Sequence, residues 1–320
     1  MILGIDTSNY TTSVALCDAQ GKLIGEKRKI LDVRPGERGL RQSEAVFQHV
    51  KNLPVLVKAL CKEYPLSEKL KAVGVSVQPR PEASSYMPVF RVGQGAAEIL
   101  AQTHDVPLFS FSHQENHIRS AMVGQVSTRA EWHYPILAVH FSGGTSEIVL
   151  VKPNTTGFDC KIVGKTLDLN AGQLVDRIGV ALGLKFPAGR ELEKMALLAR
   201  AHHCIIPTRV EKGDFHFAGQ ENKAKAMLVE GGDAAEVAYG IFASIGRTLS
   251  RALEYLCGET KARTVLFSGG VMANSIVRET AVKRLERKAD CFFADPCYAT
   301  DNAVGCTLLA WEAWKGNPRD

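Results

Sequence analysis

The chain has little of what would mark it as secreted, membrane-bound or zinc-fingered. Its eight cysteines are scattered singly, with no C-x-x-C pair and no finger-like spacing. That excludes a disulfide framework and a cysteine-based zinc module, and it fits a reducing compartment with mostly buried thiols. No 18-residue run lacks charged or polar punctuation, so no membrane-spanning helix is expected. The N-terminus, MILGIDTSNY, has no basic start and no long apolar stretch, and it does not read as a signal peptide. These absences together predict a cytoplasmic protein without a membrane partner. No stretch is of low complexity, and aromatics are only 7%. Hydrophobic residues nonetheless reach 45% of 320, enough to form a core and to exclude disorder for most of the chain.

The charge is mild. Lys plus Arg is 39 and Asp plus Glu is 34, a net of +5, which alone does not imply nucleic acid. The basic residues cluster, however. Lys27, Arg28, Lys29, Arg34, Arg38 and Arg41 fall in one early stretch, read either as a phosphate-contacting surface or as a solvated loop. Arg278, Lys283, Arg284, Arg287 and Lys288 have helical spacing and read as a solvated helix face.

One duplication organises the chain. Residues 2–16, ILGIDTSNYTTSVAL, line up without a gap on residues 136–150, ILAVHFSGGTSEIVL, at a constant offset of 134. Each copy reads as an apolar strand, a small polar turn and a second apolar strand, which is a β-hairpin. A turn rich in Ser, Thr and Gly presents converging N–H groups that suit an anion. Two copies half a chain apart predict two similar α/β lobes, with a nucleotide cleft between them. Further strands are expected at 71–77, 106–111 and 264–270, and helices around 46–62, 91–104, 172–183, 233–257 and 303–315. The proline-rich stretch 78–88 reads as irregular, and the polar stretch 205–226 as irregular or short-stranded. We expect a first lobe over 1–130, with the C-terminal helix 303–320 packing back on it, and a second lobe over 131–302.

Four constellations carry chemistry. In FSHQENH, residues 111–117, Ser112 and Glu115 fit a capping box that opens a helix. His113 and His117 then share one helix face. The positive helix N-terminus disfavours imidazolium and would keep both rings neutral, as metal ligation requires. Spacing alone does not choose a third ligand. Glu115 is open between orienting a histidine and capping alone. The second constellation is His140, Phe141, Ser142, Gly143 and Gly144 in the second hairpin copy. The third is Asp176 on a helix followed by a turn through Pro187 and Gly189. The fourth is FSGGVMAN, with Gly270 and Asn274, where a strand meets two glycines and a helix start. Asp6 reads either as a magnesium–phosphate ligand or as a cap of its own turn.

In this order the motifs resemble the TsaD family, the tRNA threonylcarbamoyladenosine transferases formerly described as sialoglycoprotein endopeptidases. The resemblance runs from Met1 to about Trp311. It implies an α/β fold of the actin/sugar-kinase/heat-shock ATPase type, two duplicated lobes around a nucleotide cleft. GIDTS matches the family's GIETS, with Asp6 for Glu. HQENH matches H-x-E-x-H, so His113 and His117 would bind iron or zinc, and TDN at 300–302 would supply Asp301 as the third ligand. Ser142 to Gly144 would hold phosphate, and Asp176, Gly189, Gly270 and Asn274 would contact the nucleoside of ATP or an adenylate. The implied activity is metal-dependent transfer of a threonylcarbamoyl group to tRNA, together with partner proteins of a tRNA-modification complex. Asp6 and Glu115 are its candidate catalytic carboxylates.

The chain also departs from the family. SGGH becomes SGGT at Thr145, the GPGL turn is replaced by 78–88, and no P-E-L-A-S-R element is recognisable in 40–49. Gln173 stands where Glu is expected, and the lysine of S-G-L-K-T is not kept in AGQENK, although Lys223 follows. These changes suggest a diverged paralogue. A carbamoyltransferase with another acceptor and a non-catalytic scaffold are the alternatives. A zincin protease is disfavoured, because Glu115 lies midway between the histidines rather than beside the first.

Overall fold

The computed structural model describes residues 1–8, 10–33, 40–66, 69–82, 85–126 and 128–316. The strands are β1 (Ile2–Asp6), β2 (Thr11–Cys17), β3 (Leu23–Ile30), β4 (Ala72–Gln78), β5 (Leu108–Ser112), β6 (Ile136–Phe141), β7 (Ser146–Pro153), β8 (Phe158–Lys165), β9 (Arg209–Glu211), β10 (Asp214–His216), β11 (Thr264–Ser268) and β12 (Asp290–Phe293). The helices are α1 (Gln42–Glu63), α2 (Phe90–Thr103), α3 (His113–Ala121), α4 (Ala171–Ala181), α5 (Gly189–Ala196), α6 (Ala218–Val229), α7 (Ala234–Thr260), α8 (Ser275–Leu285) and α9 (Val304–Gly316).

The chain forms two compact units. One comprises 1–132, 152–160 and 297–320; the other comprises 133–151 and 161–296. Each is built on a five-stranded sheet, in the orders β3-β2-β1-β4-β5 and β8-β7-β6-β11-β12. The duplication read in the sequence is duplicated register. Ile2 faces Cys17 across the first hairpin as Ile136 faces Val151 across the second. Ile2 pairs in parallel with Ala72 as Ile136 pairs with Thr264. β1 and β2 are buried along their whole length, so Ile2–Ile5 and Val14–Cys17 read as apolar runs rather than alternation.

In the first unit Leu3, Ile5, Val14 and Leu16 pack with Leu53, Leu56 and Leu60 of α1 and with Ala97 and Ala101 of α2. α9 lies on β1 and β4, its Trp311 buried with Nε1 donating to Ala19 O, a packing role. In the second unit the long α7 is buried along one face through Val237, Ile241, Ile245 and Leu249.

Three expectations need correction. The stretch 205–226 is short-stranded, as one alternative had it, only through β9 and β10, and then becomes helix α6. Its AGQENKAKAM segment is polar but rich in strong helix formers, so propensity rather than apolar periodicity carried the signal. Lys27 to Lys29 lie in strand β3, not in a loop. Lys27 pairs with Glu63 at 2.6 Å, and Arg28 with Glu26 at 2.9 Å. Arg34 and Arg38 lie outside the described residues. The thiols are less uniformly buried than expected: Cys17, Cys204 and Cys306 are buried, Cys297 is exposed, and the other four are intermediate. Burial still pushes the Cys17 thiol up to about 12 and Cys291 up to about 11, which suits inert rather than nucleophilic sulfur.

Candidate metal centre and phosphate-binding turn

In the first unit the end of β5 delivers the chain directly into α3. Ser112 Oγ accepts from Glu115 N, and Glu115 Oε2 accepts from Ser112 N at 2.7 Å and Ser112 Oγ at 2.8 Å, completing the capping box. Glu115 Oε1 accepts from Phe158 N at 3.0 Å. Its carboxylate thus fastens the tip of the β7–β8 hairpin to α3. One turn apart on that helix, the rings of His113 and His117 meet edge to face at 4.2 Å.

Asp301 comes from the turn before α9. Its Oδ1 is 3.6 Å from His113 Nε2 and 3.3 Å from His117 Nε2. One ligand atom from each of the three residues lies within 4.8 Å of the others, with His113 buried and the other two half-buried. Two imidazoles and one carboxylate around one point are a donor set that fits iron or zinc with positions left for substrate.

Asp6, at the end of β1, is completely buried and accepts four hydrogen bonds. These come from Ser8 N at 2.7 Å, Ser76 Oγ at 3.0 Å, Asn116 Nδ2 at 2.7 Å and His113 Nδ1 at 2.9 Å. The contact to Nδ1 leaves Nε2 as the ligand atom and fixes the ring's orientation. It also corrects the electrostatic reading of the sequence. Burial alone would lower the His113 pKa, but the Asp6 and Asp301 carboxylates push it up to about 10. Two close carboxylates outweigh a helix-terminus dipole equivalent to about half a charge. Asp6 and Asp301 are in turn held below the usual carboxylate range: burial raises both, and their histidine partners more than reverse it.

In the second unit the β6–β7 hairpin carries Ser142, Gly143 and Gly144. Ser142 N donates to Thr145 O at 2.7 Å, and Ser142 Oγ accepts from Thr145 N at 3.1 Å. A Cβ on Gly143 or Gly144 would meet nothing within 4 Å, so this backbone lies open. The turn sits on the N-terminus of α4: Gly172 N donates to Ser142 O at 3.1 Å and Ala171 N to Ser146 Oγ at 2.9 Å. Gly144 N donates to Ser142 Oγ at 3.3 Å, and the open glycine backbone beside a positive helix end suits a phosphate.

The remaining residues of this unit occupy defined places. His140 Nδ1 lies 3.2 Å from Ser268 Oγ. Because Ser268 Oγ donates to Val139 O at 2.9 Å, the imidazole is assigned as the donor of that pair. Phe141 is buried with its ring 5.4 Å from Phe215. Asp176 Oδ1 accepts from Ala188 N at 2.8 Å and so ties the turn that leads to Gly189, the first residue of α5. Gly270 opens a single 3-10 turn. Asn274 caps α8, its Oδ1 accepting from Val277 N at 2.9 Å, while its buried Nδ2 has no hydrogen-bond partner among the described residues. Gln173, at the position where the family resemblance expects Glu, closes the capping box of Asn170.

Sequence reasoning passed over Ser76, Asn116 and Asn302, which surround the metal cluster. Asn116 lies three residues after His113 on the same helix, and that spacing is the one signal that could have marked it.

A family model described as "TsaD: tRNA N6-adenosine threonylcarbamoyltransferase" matches residues 30–306. The chain is 28% identical over 298 residues to the tRNA N6-adenosine threonylcarbamoyltransferase of Archaeoglobus fulgidus, covering 92% of this chain and 85% of that protein. Among solved structures it is similar to the activator of the 2-hydroxyisocaproyl-CoA dehydratase from Clostridium difficile with bound ADPNP. There the TM-score is 0.53 at 13% identity, over 98% of this chain and 96% of that one. It is also similar to a ROK family glucokinase from Streptomyces griseus in complex with glucose and AMPPNP, at TM-score 0.51 and 12% identity, over 98% and 99% of the two chains. These likenesses show the fold alone, and it is that of the actin and sugar-kinase ATPases. Among the described residues no helix is long and apolar enough to cross a membrane.

Proposed function

Because the chain belongs to the TsaD family of tRNA N6-adenosine threonylcarbamoyltransferases, we propose that it transfers a threonylcarbamoyl group from an adenylate to an adenosine of tRNA. The observation that carries this reading is the convergence of His113, His117 and Asp301 within a chain matched by the family over most of its length. One iron or zinc ion held by these three residues would act as a Lewis acid on the carbamoyl group.

The chain's own groups supply the rest. The open backbone of Gly143 and Gly144 receives the phosphate of the adenylate or of ATP, with magnesium as its counter-ion. The unpartnered Asn274 amide and the Ala188–Gly189 turn, tied by Asp176, take the nucleoside. Asp6 holds His113 by Nδ1, and Glu115 keeps α3 capped and fastened. The tRNA, the partner proteins of a modification complex and a cytoplasmic setting belong to the same reading.

The test is a transfer assay with threonylcarbamoyl-adenylate and unmodified tRNA, with and without partner proteins, read by mass spectrometry of the digested nucleosides. Threonylcarbamoyladenosine is expected with wild type and none with His113→Ala. Thr145 and Gln173, where the family resemblance expects His and Glu, favour a second reading. In it the chain is a paralogue that carbamoylates another acceptor or serves as a non-catalytic scaffold. Metal and nucleotide binding without tRNA product would select it.

A further inference from the structure

We propose that Asn116 is a positioning residue that sets the two segments carrying the metal ligands, α3 and the turn before α9, in register with each other. The inference rests on the metal-binding reading of His113, His117 and Asp301. It adds to that reading the residue that brings a helix and a turn almost two hundred positions away to the same point.

Asn116 is completely buried, and each polar group of its side chain is occupied. Nδ2 donates one proton to Asp6 Oδ2 at 2.7 Å and the other to Asn302 O at 2.5 Å. Oδ1 accepts from Cys306 N, in the first turn of α9, at 2.8 Å. One amide therefore touches the carboxylate that orients His113, the residue next to Asp301, and the helix that follows it. The backbone permits this closeness because Gly305 has no side chain: a Cβ there would collide with the Asn116 carbonyl.

Asn302 extends the clasp. Its Oδ1 accepts from Ser120 Oγ of α3 and from Val304 N, both at 2.8 Å, and its Nδ2 donates to Thr300 O at 2.7 Å. The loop around Asp301 is thus wound on Asn302, and Asn302 is fixed to α3 through Asn116 and Ser120. His113 and His117 are positioned by the helix they share. Among the described residues Asp301 has no such tie of its own to α3 apart from the imidazoles, so its distance from them depends on the clasp. An amide suits this place better than a carboxylate. It donates twice toward acceptors and accepts once, and it adds no second negative charge against the buried Asp6.

The experiment uses the full chain, stripped of metal, with cobalt(II) as the probe, because its visible spectrum reports ligand geometry. Affinity and spectrum at saturation are measured for wild type, Asn116→Ala and Asn116→Ser, with the thermal midpoint of each metal-free protein. Leu53→Ala, a core truncation in α1 away from the clasp, is the control for lost stability alone.

The expected result is cobalt affinity about ten- to a hundredfold weaker in Asn116→Ala, with a changed spectrum. Asn116→Ser, which keeps one donor, falls between and covers the case in which the alanine variant does not fold. Leu53→Ala should bind cobalt as wild type does despite a lower midpoint. Wild-type affinity and spectrum in the Asn116 variants would overturn the inference and leave the metal reading standing. A loss in Leu53→Ala as large as in Asn116→Ser would overturn it too, by making the effect one of general stability. A wild-type chain that binds no cobalt would overturn the inference and the metal reading together.

Discussion

The two sheets share register and strand order, and the duplicated positions at the hairpin ends carry opposite chemistry. Asp6 ends β1 where His140 stands in β6, and the neighbouring parallel strands place a serine at the same level in both, Ser76 and Ser268. In the first unit that serine donates to a carboxylate, 3.0 Å away and wholly buried. In the second it faces an imidazole at 3.2 Å. The carboxylate orients a ligand-bearing helix. The imidazole stands at the base of an open glycine turn. A duplicated backbone thus supplies one scaffold, and the residue at the strand end gives it a buried carboxylate in one copy and an imidazole in the other.

The largest break in the comparison comes from the strands after these serines. Gly269 has φ +91°, and a Cβ there would collide with the backbone of Phe141, the residue before Ser142. The corresponding place in the first unit is Val77. Gly269→Ala is therefore expected to cost about 2 kcal/mol or more, through both a strained dihedral and a backbone clash. The denaturant midpoint checks it. A loss below about 0.5 kcal/mol, the usual range for an unremarkable surface change, would mean the two strand ends are more alike than the geometry implies.

What the sequence made legible was local. The gapless hairpin repeat follows from continuous apolar runs around small polar turns, and the residues of its two ladders pair accordingly. The Ser112–Glu115 capping box was readable because both partners lie within one turn. Helix α6 was not, because its surface is polar on most sides and gives no apolar period. The protonation of His113 was misread for a different reason. Its partner Asp6 lies 107 positions away, so a reading along the chain met the helix terminus and missed the carboxylate. Asn116 and Asn302 escaped for the same reason: their work is done across tertiary contacts.

That carboxylate gives the next test. A histidine whose pKa is raised in the folded state stabilises the metal-free protein fully below its ordinary value near 6.5, and the contribution is lost as pH rises toward about 10. Nε2 must lose its proton before it can ligate. Metal binding at neutral pH should therefore release a proton, and affinity should rise about tenfold per pH unit across the neutral range. Competition titrations at several pH values, or calorimetry in buffers of different ionisation heat, measure it. In Asp6→Asn, which removes the carboxylate's charge from the first hairpin's end, the rise should level off at lower pH. An affinity flat with pH in wild type would mean the Asp6 carboxylate does not hold that proton.

The smallest expected effect falls on the open turn. Gly143 sits at an ordinary negative φ or extended backbone, since it is absent from the residues with positive φ, and a Cβ there would meet nothing. Gly143→Ala should leave stability within about 0.5 kcal/mol. The added methyl group would stand where a phosphate approaches the backbone, so ATP affinity should fall by a few-fold to about tenfold, about 1.4 kcal/mol at most. Isothermal titration with ATP, beside a thermal melt of the same sample, separates the two quantities. Lost affinity with unchanged stability places the ligand on this turn and sharpens the contrast with the carboxylate-ended hairpin of the first unit. Unchanged affinity would mean that the glycines serve the hairpin alone, and that the two copies differ in shape without differing in use.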